Sequence, residues 1–172
     1  MKKFFLTLAM MLACVTMTEG QTYSTLWKQA KEAEQKDLPR TQYDVLMKIA
    51  QKAQKEHQPG QLMKAELQGA QVMATIAPDS LLPAVERMEA RMEAENDMAL
   101  KTVYQVVLRR IYRDNRELER TPQEITLTPE LCRQLAAVKA VDYEPLTVKG
   151  IDSRMFDDDL LSVIVLCLTD AS

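Results

Sequence analysis

The sequence predicts an all-α fold of antiparallel helical hairpins, stacked as a short tetratricopeptide-like α-solenoid. Three observations carry that prediction. Aromatic residues make up only 5% of a chain that is 47% hydrophobic, a composition poor in the side chains that strands favour. Apolar residues recur at steps of three and four from Tyr23 to Ile111, the period of a helix with one buried face. Short connectors holding Pro or Gly (LPR, QPG and PDS) separate the periodic stretches, and connections that short force consecutive helices to run antiparallel. A chain of 172 residues is long enough to bury a real core in one modest domain.

The first element is a targeting segment. Residues 1–20, MKKFFLTLAMMLACVTMTEG, open with Lys2 and Lys3, continue through an apolar stretch from Phe4 to Val15, and end with small residues at Thr18 and Gly20. That order reads as a signal peptide cleaved after Gly20. The apolar stretch is short for a membrane span, which needs about 20 residues. Export to the periplasm or cell envelope is therefore the expected localisation. Cys14 offers a lipoprotein alternative, opposed by the bulky Leu12 two residues upstream. Removal of Lys2, Lys3 and Glu19 from 22 basic and 25 acidic residues leaves a formal charge of −4, which argues against a nucleic-acid partner. Cys132 and Cys167 are too few for a disulfide framework; as small apolar side chains they are expected to fill packing gaps.

Helices follow in series. TYSTLWKQAKEAEQKD sets Tyr23, Leu26, Trp27, Ala30 and Ala33 on one face. TQYDVLMKIAQKAQKEH opens with Thr41 and Asp44 in capping-box spacing and turns Tyr43, Leu46, Ile49, Ala50 and Ala53 inward. Gly60 in QPG suits a left-handed stop to that helix. The third helix, QLMKAELQGAQVMATIA, carries Ala65, Gly69 and Ala70, small enough to let a neighbour approach closely. Asp79 or Ser80 is the expected cap of a fourth helix, with an apolar stripe of Leu81, Val85, Met88 and Met92. A fifth starts near Asp97 and is the most apolar, through Leu100, Val103, Tyr104, Val107, Leu108 and Ile111, so it belongs at the centre. After the connector ERTPQEI, Thr128, Pro129 and Glu130 form a strong helix start. The expected organisation is a signal peptide at 1–20, a helical-hairpin domain at 21–140, an extended loop at 141–156 and the start of a further helix at 157–172. The repeat is degenerate. Aligning Trp27 with the opening Trp of a tetratricopeptide unit places Ala50 correctly, but Lys31 and Tyr43 fall where small residues belong.

No residue set announces chemistry. His57 is the only histidine; it stands at a helix end, where a positive side chain suits the helix dipole, and no second histidine supports zinc. Glu86, Glu89 and Glu93 align on one helical face, without a histidine or metal ligand beside them, and read as a solvated surface. Arg109, Arg113, Arg116 and Arg120 form a basic stripe, expected to pair with that glutamate face as antiparallel neighbours. Trp27 and the methionines lie on apolar faces and are expected in the core. Asp152, Asp157, Asp158 and Asp159 lack the alternation, central Gly and closing Glu of a calcium loop. They suit the N-terminus of a helix instead. The sequence therefore predicts no catalytic, cofactor-binding or metal-binding residues, and no enzyme.

Six strings in order carry a resemblance: LWKQAKEAEQKDLPRTQ, YDVLMKIAQKAQKE, APDSLLPAVERMEAR, LKTVYQVVLRRIYRDNREL, LAAVKAVDYEPLTVKGIDSR and FDDDLLSVI. Over about residues 22–164 the chain resembles the N-terminal helical region of large exported alpha-2-macroglobulin-like proteins of Gram-negative bacteria. The resemblance implies a non-catalytic helical segment ahead of a series of β-sandwich domains, a scaffold or partner contact supporting protease inhibition. The implied partners are the remainder of such a protein or an envelope protein, with proteases entering only through the family. The Cys-Gly-Glu-Gln thioester motif of some relatives is absent from the sequence, so no functional residue carries over. In the family pattern DDLLSVI leads into Gly and further helices, whereas here VLCLTDAS follows Ile164; a truncated or frameshifted reading frame is the expectation. The reading from another class is a stand-alone exported helical-repeat adaptor, binding a peptide or envelope protein in its groove.

Overall fold

The computed structural model describes residues 21–147 and 159–169. Within them the chain is all-helical, as the composition predicts. Seven α-helices run α1 Tyr23–Gln35, α2 Pro39–Lys55, α3 Pro59–Ile76, α4 Leu81–Ala94, α5 Met98–Asp114, α6 Pro129–Ala136 and α7 Leu160–Thr169. Helices α1 to α6 each pack on the next, and α7 then folds back onto α5 and α6. The result is a row of antiparallel hairpins closed at one end by a returning helix. Residues 1–20, expected to be a signal peptide, with Cys14 among them, and Asp152, Asp157 and Asp158 lie outside the described residues.

Two turns repeat the same solution at an interval of twenty residues. At the end of α1, Asp37 takes the left-handed conformation (φ 52°), and the Leu38 N–H donates to Ala33 O at 3.0 Å. At the end of α2, His57 takes it (φ 52°), and the Gln58 N–H donates to Ala53 O at 2.9 Å. Both are Schellman-type stops, in which a residue beyond the helix end satisfies a free carbonyl three places inside it. Leu38 and Gln58 then act as N-caps through their own carbonyls, accepting from Gln42 N at 2.9 Å and Leu62 N at 3.0 Å. A proline follows each at the first helical position, where its missing N–H costs nothing.

These turns correct two sequence expectations. The second helix starts at Pro39 with no side-chain cap, so Thr41 lies inside its first turn and forms no capping box. Gly60 is not the left-handed stop; His57 is, and Gly60 sits in the first turn of α3. The physical reason is that Asp37 and His57 accept the positive φ while Pro restarts the helix two residues later.

Elsewhere the caps follow the sequence. Asp97 accepts from Leu100 N at 3.0 Å and Thr128 from Leu131 N at 3.2 Å. Asp159 accepts from Ser162 N at 2.8 Å, so this aspartate does open a helix. Ser80 precedes α4 but makes no capping bond, and a 3-10 turn over Pro78–Ser80 intervenes. In the segment expected to extend from 141, the chain instead coils into a 3-10 turn over Ala140–Tyr143 and buries Tyr143. A phenol ring seeking apolar cover explains that coiling better than backbone propensity does.

Two apolar cores share α3. One is built from α1 and α2 with Leu26, Ala30, Leu46, Ile49 and Ala53, and takes Leu62 and Ala65 from α3. The other joins α4 to α7 through Val85, Met88, Leu108, Leu135 and Leu160, and takes Met63 from α3. Full burial of each large aliphatic residue stabilises the fold by about 1.5–3 kcal/mol. Alanine dominates the first core, so its helices approach closely and Gly69 lies against Met47 and Tyr43. The fifth helix is central, burying Ala99, Thr102, Val103, Tyr104, Leu108 and Ile111.

The two helical glycines differ in what surrounds them. A Cβ on Gly60 would stand 2.1 Å from the Tyr143 carbonyl oxygen, which is backbone, whereas one on Gly69 would meet only the mobile Met47 Cε at 2.6 Å. Gly60→Ala is therefore expected to destabilise the protein by about 1–3 kcal/mol. Gly69→Ala should be neutral or stabilising by up to about 1 kcal/mol, through helix propensity. Urea denaturation of the two variants checks this, and equal effects would refute it. His57→Gly should add about 1 kcal/mol by relieving the left-handed strain; a lower denaturation midpoint would contradict that reading of the turn.

Candidate interaction groove

A groove of about 1900 Å³ runs along α5 between α3, α4, α6 and α7. Its apolar floor includes Val103, Val106, Val107, Ile111 and Val163. Val141, Leu166 and Cys167 line its edge, and the first two are 57% and 38% exposed. Helix α7 is apolar on nearly every face, with only Leu160 and Ile164 buried, so it presents apolar surface towards solvent beside the groove. Exposed apolar surface beside a groove is a candidate for docking.

The arginine stripe divides in two. Arg120 crosses to the glutamate face, lying 3.2 Å from Glu86 and 3.7 Å from Glu89. Arg113 instead approaches Asp114 at 3.4 Å, which Arg110 also binds at 2.6 Å. Arg109 and Arg116 line the groove and make no ion pair among the described residues. The expected pairing of the two stripes thus holds for Arg120 alone. Tyr112 accounts for the rest of Glu89, donating its hydroxyl at 2.6 Å. Such exposed pairs contribute under about 1 kcal/mol each. Glu93 joins no pair or hydrogen bond with a described residue, as a solvated face would have it.

The other singled-out residues scatter. His57 is exposed at the α2 end. Trp27 is half-buried against the first core and donates Nε1–H to Gln61 at 2.6 Å. Met63, Met88 and Met92 are buried, as their spacing predicts, but Met98 is half-exposed. Cys132 is half-buried, whereas Cys167 is exposed on α7 rather than filling a gap. Among the described residues no cluster of His, Cys, Asp and Glu has metal-binding geometry, and no helix is long and apolar enough to cross a membrane.

Sequence reasoning missed Glu66. It lies on α3 with little exposure and meets Arg91 of α4 at 3.0 Å through Oε1. Its Oε2 is buried without a protein partner, as is Ser80 Oγ, and both residues line a pocket of about 170 Å³ with Tyr43 and Arg87. Burial raises the Glu66 pKa above the ordinary carboxyl range, opposed by Arg91 and Arg87. The pair is a cross-helix tie. The groove itself had a faint sequence signal: α5 carries Val103, Val106, Val107 and Leu108 on more than one face, and a helix apolar beyond a single stripe needs cover on several sides.

No protein-family model, curated protein or solved structure matches this chain.

Two buried phenols make the groove end of the fold sensitive to base. Desolvation, with neighbouring carboxylates (Glu66 at Tyr104; Asp97, Glu95 and Asp142 at Tyr143), pushes Tyr104 and Tyr143 up to about 12. The folded state holds these protons more tightly than the unfolded state, whose tyrosines ionise near 10. Their stabilising effect is full below about pH 10 and disappears as pH rises towards about 12. Alkaline unfolding followed by helical circular dichroism should therefore coincide with delayed phenolate absorbance. Tyr104→Phe should weaken the pH dependence; phenolate forming with an ordinary midpoint in the folded protein would refute it.

Proposed function

We propose that this chain is a non-catalytic helical docking unit, acting as the N-terminal scaffold segment of a macroglobulin-like envelope protein. The single observation that carries the reading is the open apolar groove along α5, edged by the exposed Val141 and Leu166. A helical segment that leads a larger protein must present such a surface, because its last helices bury their outward faces only against what they dock with. The resemblance over residues 22–164 supports the identity of the larger protein. The leader-like 1–20 stretch supports an exported location. The role in protease inhibition is supportive: the segment holds or contacts the inhibitory domains and contributes no reacting group.

The test is photo-crosslinking in intact cells from a benzoylphenylalanine placed at Leu166, followed by mass spectrometry of the adduct. A crosslink to a macroglobulin-like polypeptide is the expected result. A crosslink only to an unrelated envelope protein would replace this reading with the stand-alone adaptor. Hydrolytic activity of the purified chain would overturn the non-catalytic assignment.

A further inference from the structure

The docking reading leaves the occupant's chemistry open, and the charge of the groove supplies it. Among the described residues, six basic side chains line the groove against three acidic ones, Asp114, Glu144 and Asp159. The whole chain has a formal charge of −3, so the positive balance is local. Two of the three acids are already engaged, Asp114 by Arg110 and Arg113 and Asp159 by the first turn of α7, and among the bases Arg110, Arg113 and Arg120 are paired too. Arg109, in α5, and Arg116, in the 3-10 turn after it, make no ion pair among the described residues. They offer uncommitted charge at two points along the same apolar trough.

We propose that the groove binds an amphipathic α-helix, with its apolar face on Val106, Val107 and Val163 and flanking carboxylates against Arg109 and Arg116. This rests on the docking reading above and adds the partner's chemistry. Helical walls favour a helical occupant, because side-chain ridges on α5 and α7 accept ridges of another helix. Among the described residues there is no strand that an extended peptide could join. The size also fits: a helix of about a dozen residues is a cylinder roughly 10 Å wide and 18 Å long, of about 1400 Å³. Nucleic acid would leave the apolar floor unpartnered, and a planar bilayer cannot enter a concave trough.

Fluorescence anisotropy on the full chain tests the proposal with two labelled peptides of about fourteen residues. Both carry leucines at helical spacing; one has glutamates on its flanks and the other lysines. Two semi-exposed charge pairs at under about 1 kcal/mol each should make the glutamate peptide bind about tenfold more tightly. The double variant Arg109→Glu/Arg116→Glu should abolish or invert that preference while its circular dichroism stays unchanged. Equal binding of the two peptides, or a preference that survives the double variant, would overturn the acidic-helix proposal while leaving an apolar docking groove. Binding of neither peptide overturns the proposal too, and the Leu166 crosslink then judges the docking reading separately. Self-association of the chain that the double variant abolishes would assign the groove to a second copy, and arginine-dependent binding to phosphatidylglycerol vesicles without peptide binding would assign it to lipid. Either result would overturn the proposal.

Discussion

The molecule depends on one close approach, between the first turn of α3 and the Tyr143–Glu144 backbone. Gly60 leaves room for that backbone where any Cβ would strike it at 2.1 Å. The contact fastens the turn after α6 to the start of α3, so the carboxyl-terminal helices close onto the middle of the hairpin row. It also seats Tyr143 in the core that α3 shares with α4, α5, α6 and α7. It adds to the direct packing of α3 on α4, where Met63 enters the same core and Glu66 meets Arg91.

Helix α3 is able to serve both cores because its small residues and its larger ones face different neighbours. Ala65 and Gly69 admit α2 closely, while Met63 reaches the other core. The Glu66–Arg91 pair then ties α3 to α4 at 3.0 Å. Burial opposes the charge on Glu66 and offsets part of what the pair contributes to stability. Cross-helix polar ties join both halves, with Tyr23 to Glu56 and Trp27 to Gln61 in the first and Tyr112 to Glu89 in the second. The carboxyl-terminal half carries the open surface.

The arginines fall into two groups. Arg120 binds the glutamate face and closes the α4–α5 hairpin, whereas Arg109 and Arg116 stand over the groove. In the proposed docking, the apolar floor would supply affinity and the charged rim selectivity and register.

Most of the helical architecture was legible in the residues. Periodic apolar positions marked the helices; Asp97, Thr128 and Asp159 marked three of their starts; and short Pro-bearing connectors implied antiparallel hairpins. These features are local, because a cap or an apolar stripe acts within a few residues of itself. The left-handed turns at Asp37 and His57 were harder to read, since both positions lack the glycine that usually signals such a stop. Only the tertiary structure decided what Gly60 is for, that Tyr143 is buried, that Glu66 meets Arg91, and which arginines make no ion pair among the described residues. Each depends on residues distant in sequence arriving at one place, and a one-dimensional pattern carries no record of that meeting. The sequence by itself determined a row of helices; packing around α3 decided which of their faces were left open.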